Sequence, residues 1–274
     1  IREQLRLFLL NVNLTVPTGV SLGLEVTLPR FLAENKAIGS GGQTSGIYAD
    51  YADESRLISS LILDLMLDGG SNPIFNPCVI LKIRKEALSG GEGEEMLYKA
   101  HRLAAEKGLP YFANLNENGQ MYASYAATGL RFAADWRGDW ELDTIRTGNI
   151  DSVTLNLPRA HYDAEEDKSK FFENVYDLSE MALRALEMKY LTIRQRAKEG
   201  LLPFLLRGEK RDPYSRLENA TRLLSFVGLN ETVQSITGRA VYESKDALTL
   251  AEKIMAHLSK IIKEHIKKYD ARFL

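Results

Sequence analysis

The sequence has few cysteines and few histidines, and each shortage excludes a kind of site. Its 274 residues contain one cysteine, Cys78, and four histidines. A single cysteine cannot form an intramolecular disulfide or a cysteine-built metal cluster. His257 and His265 lie eight residues apart, too far for paired ligands on one helix, while His101 and His161 stand alone. We therefore predict no metal site and structural roles for these side chains.

Other classes of function are excluded by what is missing. The formal net charge is -2, so the chain lacks the basic surplus with which nucleic-acid-binding proteins neutralise phosphates. No apolar run reaches the length of a membrane span, and the start IREQLRLFLLN has no signal-peptide cleavage site. No Gly-x-Ser-x-Gly motif of a serine hydrolase occurs. We expect a cytoplasmic protein with neither nucleic-acid nor membrane partners.

What the sequence does contain is an alternation of hydrophobic strands and amphipathic helices. Predicted strands cover Leu22–Leu28, Cys78–Ile83, Tyr111–Leu115, residues 150–157 and Arg222–Leu229. The apolar segment Leu5–Leu14 is either a buried strand, which we favour, or the end of a helix that becomes a strand near Asn11. Predicted helices cover Asp53–Leu67, Glu94–Lys107, Lys168–Glu199, a short segment ending at Gly238, and the segment that Ser244 begins. This alternation predicts an α/β fold with a largely parallel sheet.

The glycine-rich segment Ala37–Gly46, AIGSGGQTSG, has the composition of a phosphate-binding loop. However, no Lys-Ser or Lys-Thr pair ends it, and it does not join a clear strand directly to a helix. We therefore reject the phosphate-loop interpretation and expect a mobile surface loop.

The stretch Gly148–Tyr162, GNIDSVTLNLPRAHY, predicts a buried strand that Pro158 ends, because proline removes a backbone donor. Thr154 and Asn156 lie two residues apart and share one face, opposite Leu155 and its apolar neighbours. On the pattern alone, simple solvent exposure and a binding role explain these polar residues equally well.

Four segments carry a family resemblance. The run Thr147–Tyr162, TGNIDSVTLNLPRAHY, resembles the barrel strand that ends in Asn-Leu-Pro-Arg in the anaerobic, class III ribonucleoside-triphosphate reductases, which are glycyl radical enzymes. Arg216–Gly238, RLENATRLLSFVGLNETVQSITG, is similar to the Gly-Leu-Asn-Glu strand end of that family. Weaker similarity extends over Leu9–Leu28 and Met181–Arg196.

The resemblance implies that residues 1–274 are a central, partial catalytic domain, part of a ten-stranded α/β barrel. The N-terminal part and the C-terminal region with the glycyl radical and zinc would be absent. The strands near Leu9, Ile80, Val153 and Phe226 would then share one curved sheet, with the long helices outside it.

The resemblance also implies substrate contacts. Asn156 would point into the concave side of the barrel and hydrogen-bond the ribose of the nucleotide, and Gly228, Asn230 and Glu231 would line the same cavity. Three residues near the start of the chain are weaker candidates: Asn11, Asn13 and Ser21.

The sequence departs from the family where the radical cysteine should be. That cysteine precedes the Asn-Leu-Pro-Arg strand, which corresponds here to Tyr122–Arg131, YASYAATGLR, and this stretch has no thiol. Cys78 lies at the start of a predicted strand, where a buried, inert side chain is expected. No catalytic residue is therefore assigned, and we expect no ribonucleotide reduction by this chain alone.

The intact family enzyme implies components that this chain does not supply. These are a glycyl radical, a zinc site of four cysteines, and activation by an iron-sulfur enzyme that uses S-adenosylmethionine. The implied partners are a ribonucleoside triphosphate substrate, dNTP effectors and the activating protein, and the long helix leaves a homodimer open. Two alternatives stay open: a catalytically silent relative that binds nucleotide or docks a partner, and an unrelated α/β protein that shares these strings by chance.

Overall fold

The structure of the chain is a computed structural model that describes residues 1–16, 20–69, 74–88, 90–116, 122–127, 129–132, 138–203, 206 and 215–274. The stretch Tyr122–Arg131, which corresponds to the position of the radical cysteine in the family, is described except for residue 128. The chain divides into two compact units, Ile1–Trp140 and Glu141–Leu274. Each unit is described by itself.

In the residues that the structure describes, the first unit combines a three-stranded parallel sheet with four helices and a two-stranded hairpin. Its helices are α1 (Arg2–Thr15), α2 (Arg30–Ala33), α3 (Ala52–Leu67) and α4 (Glu92–Lys107). Its strands are β1 (Ser21–Glu25), β2 (Lys36–Ile38), β3 (Thr44–Ile47), β4 (Cys78–Ile83) and β5 (Tyr111–Asn114). The sheet has the order β1-β4-β5, with Ile80 paired to Gly23 on one side and to Tyr111 on the other.

The core of this unit lies between the sheet and its helices. Val79 and Leu81 of β4 are fully buried and pack with Leu63 of α3 and Leu103 of α4. Side chains on both faces of β4 are buried, Val79 and Leu81 on one face and Cys78 and Ile80 on the other, which explains why β4 is apolar along most of its length. The predicted strand Cys78–Ile83 and the predicted helices near α3 and α4 are thus confirmed.

The strand predicted at Leu5–Leu14 is wrong, because these residues lie in α1. Helix α1 begins with arginine, glutamate, glutamine and leucine, which are good helix formers. Leu5 and Leu9 lie four residues apart on one helix face, and both contact the core. The apolar content that suggested a strand is therefore the buried face of a helix.

The mobile loop expected at Ala37–Gly46 is also corrected, because this segment forms most of a β-hairpin. Strands β2 and β3 pair antiparallel, with Lys36 opposite Ile47 and Ile38 opposite Thr44. Gly41 and Gly42 between them adopt φ values of 71° and 76°, which suit the tight reversal. The glycines serve the turn of the hairpin.

The second unit is built on a parallel strand pair with helices on one side. Its strands are β6 (Asn149–Asn156) and β7 (Thr221–Val227), and its helices are α5 (Leu157–Asp163), α6 (Lys168–Lys198), α7 (Leu229–Thr237) and α8 (Lys245–Tyr269). A π-helical segment, Glu141–Ile145, precedes β6. The C-terminal residues hydrogen-bond to the edge of β7 that faces away from β6, since Leu224 N donates to Leu274 O over 2.8 Å.

The apolar face of this pair packs against the long helices. Leu155 shares a core with Phe171 and Val175 of α6 and Ile254 of α8. Two predicted N-caps are confirmed: the Asp167 carboxylate accepts from the backbone of the first turn of α6, and the Ser244 hydroxyl oxygen accepts from Ala247 N over 3.1 Å.

The expectation of one shared sheet is wrong for the described residues. Leu9 is helical, Ile80 belongs to the three-stranded sheet, and Val153 and Phe226 belong to the separate β6-β7 pair. The architecture shown is therefore a mixed α/β fold with only part of a barrel. None of the described helices combines the length and the apolar character needed to cross a bilayer.

His265 makes the stability of the second unit depend on pH. Its ring is buried against Tyr269 and Phe273, and Nδ1 lies 3.1 Å from Glu180 Oε1. Burial lowers the pKa of His265, outweighing the opposite effect of the Glu180 carboxylate. Between the lowered pKa and the ordinary value of about 6.5, the unfolded chain binds the proton and the folded chain does not. Stability therefore rises with pH in that window.

We expect the free energy of unfolding to fall as pH drops from about 7.5 to about 5.5, and His265→Gln to flatten part of this slope. Urea unfolding at a series of pH values measures both. His101→Gln, at an exposed position on α4, is the control and should leave the slope unchanged. An unchanged slope in His265→Gln would show that another group sets the pH dependence.

Candidate functional site

The second unit presents one edge at which two strands end together. In the parallel β6-β7 pair, Asn156 is opposite Val227, and these are the last residues of the two strands. Each strand passes almost directly into a helix, α5 at Leu157 and α7 at Leu229. In α/β folds, ligands bind outside the carboxyl ends of parallel strands, beside helix N-termini. This edge is therefore the candidate site.

The two strand-to-helix turns at this edge touch each other. Gly228 has φ 80° and ψ 29°, a left-handed conformation that favours glycine. A Cβ atom added there would lie 2.4 Å from both Cδ and Cγ of Pro158, far inside van der Waals contact. Glycine therefore fits this position for two reasons. It adopts the left-handed backbone conformation, and it leaves room for the ring of Pro158, which lies in the first turn of α5 directly after β6.

Asn156 is exposed and caps α5. Its Oδ1 accepts a hydrogen bond from Arg159 N over 3.0 Å, which makes it the N-cap of this helix. Since the carbonyl oxygen is used in this way, the amide nitrogen of Asn156 is directed elsewhere. Within the described residues no hydrogen bond from that nitrogen is found. The side chain thus offers a donor at the strand edge.

The face of the strand pair that carries Asn156 is polar. Ser152, Thr154 and Asn156 alternate along β6 and are exposed, while Leu155 between them is 6% exposed. Ser225 of β7 pairs with Thr154, and its Oγ lies 3.1 Å from Ser152 Oγ. Neither serine was predicted as a site residue from the sequence, although the alternation along β6 was a usable signal for Ser152.

The structure separates the roles of Asn230 and Glu231. Asn230 Oδ1 accepts from Val241 N over 3.0 Å, so this side chain holds the segment after α7 in place. Glu231 is exposed in the first turn of α7, with Oε2 3.8 Å from the Cβ position at Gly228. A donor from Asn156 and an acceptor from Glu231 suit the hydroxyl groups of a sugar better than a phosphate.

The three weaker candidates lie in the first unit, where two of them have structural hydrogen bonds. Asn13 lies in α1, and its Oδ1 accepts from the backbone N–H groups of Phe75 and Asn76 over 3.1 Å. Ser21 Oγ donates to Tyr125 O over 2.9 Å at the amino end of β1. Asn11 is exposed on α1. Asn76 joins Asn13 to the start of β1, because Asn76 N donates to Asn13 Oδ1 and Asn76 Oδ1 accepts from Val20 N over 3.0 Å.

Cys78 has the environment of a structural thiol. It is 6% exposed at the start of β4 and packs with Ile80 and Ala113. Burial raises the pKa of its thiol, which lowers the fraction of reactive thiolate. The expectation of a buried cysteine in a strand is confirmed. Among the described residues, no group of three or more histidine, cysteine, aspartate or glutamate side chains is arranged to hold a metal ion.

Comparison with solved structures shows what the fold resembles. The anaerobic ribonucleotide reductase from Thermotoga maritima with citrate in the active site superposes with a TM-score of 0.69 at 13% identity, covering 100% of this chain and 50% of that one. The same enzyme in complex with dATP and CTP gives 0.67 at 13% identity, covering 100% and 46%. Another structure described as an anaerobic ribonucleotide reductase gives 0.71 at 14%, covering 99% and 42%.

The chain therefore spans about half the length of these structures. At such low identity the likeness establishes the fold alone. No curated protein matches the sequence. The family model described as anaerobic ribonucleoside-triphosphate reductase, however, matches residues 3–274. With nearly its whole length matched, the chain belongs to the anaerobic ribonucleoside-triphosphate reductase family.

Proposed function

We propose that this chain is part of the nucleotide-binding barrel of an anaerobic ribonucleotide reductase, and that the β6-β7 edge contacts the ribose of the substrate. The observation that carries the proposal is the common position of Asn156, Gly228 and Glu231 at the carboxyl end of two paired parallel strands. This edge joins the segments with the most specific family resemblance, which are distant in sequence.

Each residue has a role that follows from its contacts. The Asn156 amide nitrogen donates to a ribose hydroxyl, while its oxygen remains bound to Arg159 N. The Glu231 carboxylate accepts from a second hydroxyl. Gly228, which carries no side chain, lets a ligand approach the backbone. Asn230 acts indirectly, because its bond to Val241 N fixes the segment that follows α7.

At the level of the whole enzyme, the proposal follows the family. Residues 1–274 would form a partial catalytic domain of a ten-stranded barrel in a cytoplasmic enzyme that reduces ribonucleoside triphosphates. The solved relative in complex with dATP and CTP supports a nucleotide substrate and a dNTP effector. A radical-activating protein and a second subunit complete the proposed partners.

The cofactors of the family do not fit the residues of this chain. A zinc site of four cysteines cannot be built from one cysteine, and that cysteine is buried in β4. The proposal therefore assigns the glycyl radical, the zinc and the activation by an iron-sulfur enzyme to the intact enzyme. The role of residues 1–274 is limited to binding and orienting the nucleotide.

The substitution Asn156→Asp tests the ribose contact without removing the helix cap. Aspartate caps a helix as well as asparagine does, so the free energy of unfolding should change little. The substitution replaces a donor with a negatively charged acceptor close to an anionic ligand. We expect CTP, measured by titration calorimetry on the 274-residue chain, to bind at least about tenfold more weakly.

Asp167→Asn is the matched control, because it makes the reverse exchange at the N-cap of α6 and should leave CTP affinity unchanged. Equal affinity in Asn156→Asp and the unsubstituted chain would refute the contact by Asn156. No CTP binding by the unsubstituted chain would refute the proposal that this edge binds nucleotide in isolation from the rest of the enzyme.

The second candidate is a catalytically silent relative that binds nucleotide or docks a partner. It is favoured by the lack of a thiol in Tyr122–Arg131 together with the burial of Cys78. Both candidates predict nucleotide binding, so the calorimetric experiment does not separate them. Ribonucleotide reduction by an intact enzyme that contains this sequence would eliminate the silent relative.

A further inference from the structure

We propose that Tyr242 is a further nucleotide-binding residue, and that its ring stacks on the base of the nucleotide whose ribose the β6-β7 edge contacts. The inference rests on the proposed function and extends it to a second part of the same ligand. Asn156 and Glu231 are polar and suit the hydroxyl groups of the sugar. The flat, largely apolar base needs a contact of a different kind.

Tyr242 lies beside the candidate edge although it comes well after β7 in sequence. Asn230 Oδ1 accepts from Val241 N over 3.0 Å, so the residue before Tyr242 is fixed at the first turn of α7. Glu231, the neighbour of Asn230, lies in the same turn. The tyrosine and the proposed ribose contact therefore flank one helix start, directly after the carboxyl end of β7.

The turn that carries Tyr242 is held on both sides. Glu243 Oε2 accepts from Ala240 N over 2.8 Å, and Glu243 N donates to Ala240 O over 2.9 Å. Val241 packs against the core of the second unit, and Ser244 is already the N-cap of α8. The backbone around Tyr242 is thus fixed without a ligand. A tyrosine has only two side-chain torsions, so on such a backbone it loses little conformational entropy when it binds.

The ring of Tyr242 contributes little to packing within the chain. It is 86% exposed, and in the described part of the chain no large hydrophobic side chain is more exposed. A single exposed apolar side chain is ordinary on a protein surface. The inference therefore depends on the position of this ring, on a fixed turn next to the residues that are proposed to hold the sugar.

Stacking defines what the ring can discriminate. Every base has a π-face, so an aromatic side chain binds different bases with similar strength. The phenol is neutral at ordinary pH, so it does not repel the phosphates of the ligand. We therefore expect Tyr242 to favour nucleotides over sugar phosphates that lack a base, and to contribute little to the choice between bases.

Calorimetric titration of the 274-residue chain with three ligands tests the contact. The ligands are CTP, ATP and ribose 5-triphosphate, which has no base. Tyr242→Ala should weaken the binding of CTP and of ATP about tenfold each and leave that of ribose 5-triphosphate unchanged. Tyr242→Phe keeps the ring, so its affinity for CTP should stay within about twofold of that of the unsubstituted chain.

Two controls separate stacking from a structural effect. Tyr176→Ala removes a 41% exposed ring from the groove between α6 and α8 and should leave the affinity for CTP unchanged. The free energy of unfolding of Tyr242→Ala in urea should match that of the unsubstituted chain, because the ring is almost fully exposed.

The outcomes distinguish this inference from the proposed function. If Asn156→Asp weakens CTP binding and Tyr242→Ala does not, the stacking contact is wrong while the ribose contact stands. An equal loss for ribose 5-triphosphate, or a loss confined to one of the two bases, would also overturn the stacking contact. Absence of CTP binding by the unsubstituted chain would overturn both proposals.

Discussion

Gly228→Ala is expected to destabilise the second unit by about 3 kcal/mol in urea or thermal unfolding. About 1–2 kcal/mol comes from the left-handed backbone, since φ is 80° at this position and alanine rarely adopts it. The rest comes from the new Cβ, which would lie 2.4 Å from the Pro158 ring carbons and must push the two turns apart. Because these turns form the candidate edge, nucleotide affinity should fall as well.

Gly238→Ala is the matched control at the other end of α7. Its φ is 73°, but a Cβ there would have no atom within 4 Å, so only the backbone cost of about 1–2 kcal/mol remains. The difference between the two variants therefore measures the contact with Pro158. Equal losses of stability in both variants would show that the turns at Gly228 and Pro158 can move apart to accept the extra Cβ atom at little cost.

Arg272→Met is expected to cost about 3–5 kcal/mol of stability, because it removes one partner of a fully buried charge pair. Arg272 Nη1 donates to Thr147 Oγ1 over 2.8 Å and to Asn219 O over 2.9 Å, and it lies 4.0 Å from Asp143 Oδ1. Without the guanidinium, the buried Asp143 carboxylate loses its contact with this positive charge. Methionine fills a similar volume, so the loss reports the polar contacts more than a cavity.

Two further variants give this prediction its controls. Arg194→Met removes an exposed arginine on α6 and should change stability by no more than about 0.5 kcal/mol. Asp143→Asn combined with Arg272→Met removes both charges and should recover part of the loss. A double variant as unstable as the sum of both single variants would show that the two side chains are not coupled.

The elements that could be predicted from sequence are those with local signals. Strand β4 was predicted with both ends correct, because its apolar run is bounded by prolines and charge. The start of α6 was predicted at its first residue, because the capping aspartate is adjacent in sequence. Segment α1 was predicted wrongly, since a short leucine-rich run has no decisive period and only its contacts settle the choice.

The candidate site was predictable only in part, because its geometry depends on distant segments. The polar face of β6 follows from the alternation of Thr154 and Asn156. The contact between Gly228 and Pro158 joins two turns that are far apart in sequence, so no local pattern reveals it. Likewise, Asn230 Oδ1 accepts a hydrogen bond from Val241 N, and only the tertiary fold reveals this structural contact.

The parallel pairing of β6 with β7 also has a consequence for the order of events during synthesis. Both α5 and the whole of α6 lie between the two strands in sequence, so β6 leaves the ribosome well before its partner does. Pairings of such high sequence separation form slowly, while a long helix forms from local contacts. The nascent chain thus leaves the backbone edge of β6 unpaired until β7 is made, while α6 is the first element that can cover its apolar side.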